Sequence, residues 1–499
     1  MTVLVVGAGP AGLATAVTLA RYGVPTLLVD RRPQPSSLPR ATGISTRTME
    51  LMRSWGLEEP VRAGGVEVRW PAWVGPSLLA PRGVELDTVW PHPDVVARRS
   101  PTRPACVPQN VLERALLDHL AELPHAEVRL GTELVALHQA DGAVDATLRD
   151  TDSGALSTCR PTYVVAADGA HSLARRSVGI ETDEIGDDDP RGVLGSAWRA
   201  ARTTLFTVTL PAGSLLDALG ERRHMIYTIT DPAAGGVLLP AGADCWIYGE
   251  DCDPAAPRPT PEALAARIAL AIGRPDARPT ILRTGTFSFD ARMARRYRAG
   301  AVFLAGDAAH RMTPRGGTGL NTAIQDGHDL GWKLAWVQLG WASPELLDSY
   351  EREREPVGRR NTTMSARSYG AHRDPVDELD VDLGGRVAHA WIERPDRHGC
   401  VTGATTARRV STLDLVGPGL TVLTGPDAPT PPDRAVDGAL GGTVTGRVPV
   451  RTCRLHARTA AAVGVPAAGS LTLRPDGKPT DYQAPVFPVL DALATTGGL

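Results

Sequence analysis

The sequence predicts an α/β fold, a parallel sheet wound by helices, and three patterns in it carry that expectation. The chain opens with a β-type run (Val3 to Val6), a glycine turn, an apolar helix (about Ala11 to Tyr22) and a second strand (Thr26 to Val29) ending at Asp30, which together make a βαβ unit. Tyr163 to Ala167 and Ala301 to Ala305 are short apolar runs that each end beside an Asp and a Gly, and the second leads through a glycine-rich loop into a long helix at about Leu320 to Gly340. Leu320, Ala323, Ile324, Leu330, Leu334 and Val337 keep helical spacing there. By contrast, about Gly179 to Ser288 carries strand-like pieces (Leu205 to Leu210, Met225 to Ile229, Cys245 to Gly249) between Pro/Gly turns, the pattern of a β-rich middle domain.

The remaining segments fit around these. Pro71 to about Arg99 shifts to Pro, Trp and Val without helical period and reads as an excursion, followed by an amphipathic helix at about Pro108 to Leu123. After about His372 the chain becomes rich in Asp, Gly, Pro and Thr, with short strands at Gly419 to Leu423 and Ser470 to Leu473, which suggests a separate small domain. The expected division is a discontinuous first domain (1–70, 100–178 and 286–371), a middle domain (71–99 and 179–285) and a C-terminal domain (372–499).

With 499 residues, 42% hydrophobic and 22% charged, the chain is long enough for two or three globular domains. A net charge of −3 gives no field to recruit nucleic acid or an anionic membrane, so phosphate binding must be local. Nearly all the basic residues are Arg; the only lysines, Lys333 and Lys478, leave little scope for Schiff-base chemistry. No run reaches the roughly 18 apolar residues of a membrane span. The apolar N-terminus lacks a preceding basic region and is broken by Gly7, Gly9, Pro10 and Gly12, so a soluble, cytoplasmic protein is expected. The six cysteines (Cys106, Cys159, Cys245, Cys252, Cys400, Cys453) form no C-x-x-C pair and read as reduced thiols, and the histidines have no metal spacing, so no metal is expected.

Gly7-Ala8-Gly9-Pro10-Ala11-Gly12 is G-x-G-x-x-G between a strand and a helix. There the first glycine makes the tight turn, the second lets backbone approach a pyrophosphate and the third lets helix pack on strand. Asp30 ends the next strand, where an acid accepts hydrogen bonds from adenosine ribose hydroxyls. Asp307 follows another strand at the end where open α/β sheets bind ligands, while Gly316, Gly317 and Gly319 allow close approach of a flat ring. The helix beginning at Leu320 and Asn321 aims its positive end at the same place.

These motifs resemble those of the single-component, class A FAD-dependent aromatic hydroxylases, typified by p-hydroxybenzoate hydroxylase and the polyketide hydroxylases. The match comprises Gly7 to Gly12 with Asp30; Asp168-Gly169-Ala170-His171-Ser172 followed by Arg175; and Gly306-Asp307-Ala308-Ala309-His310 through Pro314, continuing Gly316 to Asp326. It spans roughly residues 1 to 370. The resemblance implies a Rossmann-type FAD-binding domain of the p-hydroxybenzoate hydroxylase type, with bound FAD and transient NADPH or NADH. It implies that Asp307 holds the ribityl chain, that Asp168 and Gly169 contribute to pyrophosphate and NAD(P)H contacts, and that Arg175 orders that segment. Arg40 and Arg47 occupy the family's R-A-x5-R-T-x-E-L pattern; with Arg31 and Gln109 they join the cofactor-binding candidates, Arg47 and Pro314 as flavin-adjacent ones. Leu320 and Asn321 would stabilise negative charge on reduced flavin.

The implied activity is NAD(P)H- and O2-dependent hydroxylation of a bulky aromatic, polyketide-type or phenolic, through a flavin C4a-hydroperoxide. Baeyer–Villiger or epoxidising chemistry on the same scaffold is an alternative, and a non-catalytic flavin-binding scaffold is one of another class. No Ser/His/Asp triad is assigned, and a monomer or homodimer is expected.

Departures from the family pattern are Asp30 for the commoner Glu, Thr318 where many polyketide hydroxylases have Gln, and Gly327 and Asp329 within Q-D-A-x-N-L. Ser411 to Leu415 and Leu473 to Gly477 resemble remnants of a thioredoxin-like tail, here without C-x-x-C. Trp70, Trp73, Trp90, Phe206, Tyr227, Trp246 and Tyr248 concentrate in or beside the middle-domain segments, where they suit either a substrate surface or a sheet core. Glu50, Arg21 and the run Glu351 to Arg360 read as solvated helix charges, and His310 as structural.

Overall fold

The computed structural model describes residues 2–483 apart from 141, 187–199, 212, 254, 368–372, 394–408, 430–439, 441–442 and 446. The expected boundary at 371/372 and Cys400 lie outside the described residues.

The N-terminal unit runs β1 (Val3–Val6), α1 (Pro10–Arg21), β2 (Thr26–Asp30), α2 (Thr46–Trp55), α3 (Gln109–Ala121), β3 (Ala126–Leu130), β4 (Tyr163–Ala166), β5 (Val302–Leu304), α4 (Gly319–Gln338) and α5 (Asp348–Ala366). In the sheet the order is Arg298–Ala299, β5, β4, β1, β2, β3, parallel except for the antiparallel edge pair Arg298–Ala299. β1 and β5 are apolar and buried throughout because both faces of the sheet are covered. Pro10 occupies the first turn of α1, where its missing N–H removes nothing the helix would use.

α1 is buried from Ala11 to Ala20, between the sheet and α4. The two helices approach so closely that a Cβ at Gly327 would lie 2.3 Å from the Ala11 carbonyl oxygen and one at Gly331 2.7 Å from Thr18 Cβ. That contact is the physical reason for the Gly327 departure.

A seven-stranded sheet follows, in the order Arg278–Ser288, Ala200–Thr209, Cys245–Asp251, Gly236–Pro240, Tyr227–Ile229, Ala72–Gly75 and Val84–Leu86. The 71–99 excursion thus supplies its last two strands. Alternation along the strands sorts the aromatic residues. Trp73, Phe206, Tyr227, Trp246 and Tyr248 share one face and pack with Leu264, Ile268 and Ile272 of the helix Pro261–Ile272. They are sheet core, which settles that choice against a substrate surface. Paired residues one step along, including Val74, Leu205, Val237 and Ile247, face the other way, together with the exposed Val84, Leu86 and Phe287.

α6 (Pro375–Leu383) leads into a small sheet in which Leu420–Thr424 pairs parallel with Val450–Arg454 and antiparallel with Ser470–Leu473 over its own core. Buried ion pairs fasten this segment to the N-terminal unit, which corrects the expectation of solvated charges. Glu50 receives Arg386 in a bidentate pair at 2.6 and 3.1 Å, and Glu353 receives Arg474 at 2.7 and 2.8 Å. Lys333 pairs with Asp329 at 2.7 Å and Arg354 with Asp326 at 2.8 Å. Arg21 is exposed as expected. Both lysines of the chain stand in this cluster, and with Arg474 they balance Asp329, Glu353 and Asp476, the one carboxylate trio among the described residues close enough to share a cation. Among the described residues no helix is long and apolar enough to cross a membrane.

Candidate active site

The carboxyl ends of β1, β2, β4 and β5 open onto one crevice, at the point where the chain reverses its direction across the sheet between β1 and β4. At its head the three glycines divide their roles by sterics. A Cβ on Gly7 (φ +105°) would meet the Ala167 carbonyl oxygen at 2.3 Å, and one on Gly12 would lie 1.8 Å from the Gly7 carbonyl oxygen. A Cβ on Gly9 would meet nothing within 4 Å. So Gly7 and Gly12 seal the turn, while Gly9, at the N-cap of α1 with no side-chain cap, borders open space. Backbone N–H groups in open space at a helix N-terminus are what a pyrophosphate requires.

Asp30 accepts hydrogen bonds from the Ala8 N–H (2.8 Å), the Arg32 N–H (2.8 Å) and the Arg32 guanidinium (3.1 Å). Burial opposes its ionisation, but the Arg32 side chain and these backbone donors prevail and hold the carboxyl below its ordinary value. Arg31 and Arg40 are exposed at the rim. Gln109, at the start of α3, donates to Glu113 at 2.7 Å, and burial raises the Glu113 carboxyl.

Asp168 follows β4 and Gly169 turns at φ +82°. One Asp168 oxygen accepts from the Ala174 N–H, whereas Oδ1 is buried with no partner. An orphaned carboxylate oxygen at the mouth of a nucleotide crevice is the kind of group a bound cofactor would satisfy. Arg175 ties this turn to the next loop through the Ala308 carbonyl (3.1 Å) and the Ala170 carbonyl (3.3 Å).

Asp307 lies in the short turn Gly306–Ala308 after β5, its side chain open to the crevice. The surrounding protein pushes its carboxyl up, and His310, Arg311 and Arg40 pull the other way. His310 is buried and pairs with Asp326 at 2.5 Å, which bears out its structural reading.

Pro314 precedes a turn in which Gly316 and Gly317 have φ of +78° and +62°. The first turn of α4 (Gly319, Leu320, Asn321) has no side-chain cap. The Asn321 side chain is turned the other way: it accepts from the Ser45 N–H (2.8 Å) and donates to the Gly43 (3.1 Å) and Gly317 (3.2 Å) carbonyls. Gly43 to Ser45 and Gly317 to Asn321 thereby form two sides of one slot. Trp90 lies against both, its ring 3.4 Å from where a Cβ on Gly317 would stand, and it packs on Trp70 at 5.0 Å between centroids.

Arg47 departs from its expectation. Its guanidinium reaches Glu50 (2.9 Å) and the Asp476 carbonyl (2.7 Å), which assigns it to the C-terminal interface instead of the ring slot. Sequence reasoning missed Arg32 and Glu113, whose two- and four-residue spacings from Asp30 and Gln109 were the available signals. It also missed Ser45, whose role depends on distant partners, and gave Trp90 no place of its own.

Residues 1–365 match the family described as FAD binding domain. The chain belongs to this family. FAD is its cofactor, and it is a monooxygenase of the FAD-dependent aromatic hydroxylase kind. It is 34% identical to tetracenomycin A2 monooxygenase-dioxygenase of Streptomyces glaucescens, over 85% of this chain and 82% of that protein. Among solved structures it is similar to the flavin-dependent monooxygenase PieE in complex with FAD and substrate (TM-score 0.80, 26% identity, 96% of each chain). It is also similar to aklavinone-11 hydroxylase in ternary complex with FAD and aklavinone (TM-score 0.78, 28% identity, 97% of this chain and 96% of that one).

Proposed function

We propose that this chain uses NAD(P)H and O2 to hydroxylate a bulky, electron-rich aromatic of the polyketide or phenol type. One observation carries the reading: the crevice with Asp307 and the uncapped start of α4 adjoins the sheet face that carries Leu205, Val237 and the exposed Val84, Leu86 and Phe287. Arg315, next to Pro314, lies over the Phe289 ring at 5.2 Å, Phe289 stacks on Phe287 at 5.4 Å, and Phe287 belongs to that face. A flat apolar substrate lying on the face would reach the slot.

When bound, FAD supplies the redox chemistry, taking a hydride from NAD(P)H and activating O2 for electrophilic transfer to an aromatic ring. The protein holds and shields. Gly9 and the free N–H groups of α1 hold the pyrophosphate, Asp30 braced by Arg32 the adenosine ribose, and Asp307 the ribityl hydroxyls. Asp168 Oδ1 gains a donor, Arg31 and Arg40 supply charge at the rim for phosphate, and Gln109 lies along the cofactor's side chain. Leu320 and Asn321 present backbone N–H groups where reduced flavin carries negative charge, worth several kcal/mol in a water-poor site by the scale of about 3 kcal/mol per oxyanion donor. Pro314, Gly316 and Gly317 wall the ring. The three-domain division, with a thioredoxin-like C-terminal domain, belongs to the same reading.

The test is NAD(P)H oxidation by FAD-loaded protein with and without a panel of phenols and fused-ring aromatics, with product masses read for each. A compound that speeds oxidation and gains one oxygen on its ring supports the reading. Flavin uptake with no acceleration by any such compound contradicts it.

A further inference from the structure

Asp382 sits at the end of α6, beyond the segment that matches the FAD binding domain family, yet it reaches the flavin slot from behind. Its Oδ1 accepts from Ser45 Oγ (2.7 Å) and Gln325 Nε2 (2.8 Å), and its Oδ2 accepts from the Arg47 N–H (2.8 Å). Ser45 is also the N-cap of α2 and donates its N–H to Asn321, which in turn holds the Gly43 and Gly317 carbonyls. Gln325 stands one turn after Asn321 on α4. A single carboxylate therefore gathers the ends of both glycine loops that border the ring slot.

We propose that Asp382 is a positioning residue for the flavin: it fixes the spacing between the 43–45 loop and the 317–321 loop, so that the C-terminal segment helps set how FAD is held. This rests on FAD lying between those loops, as in the function proposed above. Three donors converge on Asp382, one of them an otherwise orphaned N–H of the first turn of α2, and an ionised carboxylate satisfies all three at once. Asparagine, with one acceptor oxygen, cannot accept from Ser45, Gln325 and Arg47 together, so the Ser45 hydroxyl and the Gln325 amide must re-orient or one donor is left unmet. Leaving a donor unmet does not unfold the slot, because α6 is also held by its own Asp374 cap and by Arg360 on Glu378. It removes one of the two ties between the loops, Asn321 being the other, and so loosens their spacing.

The test compares apoprotein melting, FAD affinity and the visible absorption bands of bound flavin in wild type, Asp382→Asn, Asp382→Ala and Asp414→Asn. Asp414 is the control: it docks the C-terminal segment through Arg53 at 2.9 and 3.0 Å and touches neither loop. The expected result is an FAD Kd raised about tenfold in Asp382→Asn, from one charge-assisted hydrogen bond, and more in Asp382→Ala. The flavin bands shift in both, while the Asp382→Asn apoprotein melts as wild type does. Asp414→Asn should lower melting and leave Kd and spectrum alone. Wild-type affinity and spectrum in Asp382→Asn overturn the proposal, as does an equal effect of Asp414→Asn or an Asp382→Asn apoprotein that fails to fold. A wild-type protein that takes up no FAD overturns the functional reading on which the proposal rests, and the proposal with it.

Discussion

Gly9 and Gly12 are three residues apart in one turn, and the structure separates what each does. Gly9 has φ −85° and ψ −176°, a conformation any residue adopts, and open space where a Cβ would go. Gly9→Ala replaces a glycine N-cap with alanine, a cost of about 1 kcal/mol or less. Reduced backbone freedom in the unfolded chain returns about 0.4–1 kcal/mol. Apoprotein stability should therefore change by less than about 1 kcal/mol. The methyl group nevertheless occupies the space through which phosphate must approach the backbone, and losing one charge-assisted hydrogen bond of about 1.5–3 kcal/mol weakens FAD roughly 10- to 100-fold. Gly12→Ala does the reverse: its Cβ would stand 1.8 Å from a backbone oxygen, so the turn must open at a cost of about 1–3 kcal/mol or more before any cofactor binds. Urea denaturation of the apoproteins and FAD titration followed by flavin fluorescence measure both quantities. Wild-type FAD affinity in Gly9→Ala, or an undisturbed Gly12→Ala apoprotein, would refute this division of roles.

Asp307→Ala removes a carboxylate that faces the crevice and supports no described neighbour by a hydrogen bond; apoprotein melting should hold while FAD retention on gel filtration falls at least about tenfold, the worth of one charged hydrogen bond. Glu353→Ala takes one of two carboxylate partners from each of Arg474 and Lys333, which keep Asp476 and Asp329, and should cost about 1.5–3 kcal/mol in urea denaturation, the worth of hydrogen bonds to a charged group. The Glu353 carboxyl lies at about 2 in the fold, against an ordinary 4.5. Burial acts to raise it, and Lys333 and Arg474 outweigh that by lowering it. A depressed acid stabilises the fold above its unfolded value and loses that contribution as pH falls, so wild type and Glu353→Gln should converge in stability as pH drops from about 4.5 toward about 2. A gap that stays constant over that range contradicts the linkage. Trp90→Leu removes the ring packed on both glycine loops; bound flavin should fluoresce more strongly than in wild type, and an unchanged yield would place the ring elsewhere.

Strand and helix positions were readable wherever the chain carries its own punctuation. The first helix was expected at about Ala11 to Tyr22 and runs Pro10–Arg21; the long one was expected at about Leu320 to Gly340 and runs Gly319–Gln338. Gly7, Asp30, Asp168 and Asp307 converge on one crevice because each follows or ends a parallel strand at its carboxyl end, and Gly9 and Gly12 open the helix that begins there, positions local sequence marks. What depends on distant partners was not readable. Nothing beside Glu50, Glu353 or Arg354 distinguishes them from solvated helix charges, because Arg386 and Arg474 reach the two acids from the far end of the chain and Asp326 reaches Arg354 from another helix. Ser45 and Asp382 are 337 positions apart and meet only in the fold. The middle-domain aromatic residues were ambiguous because alternation says that two faces differ without saying which one a helix covers.

The most direct test of the account is a labelled turnover: FAD-loaded protein, NAD(P)H and an aromatic that accelerates its oxidation, run under isotopically heavy O2. The account predicts a ring-hydroxylated product carrying one heavy oxygen atom, formed in step with one NAD(P)H consumed. Oxygen drawn from water, or NAD(P)H consumed with no oxygenated product from any such aromatic, would contradict it.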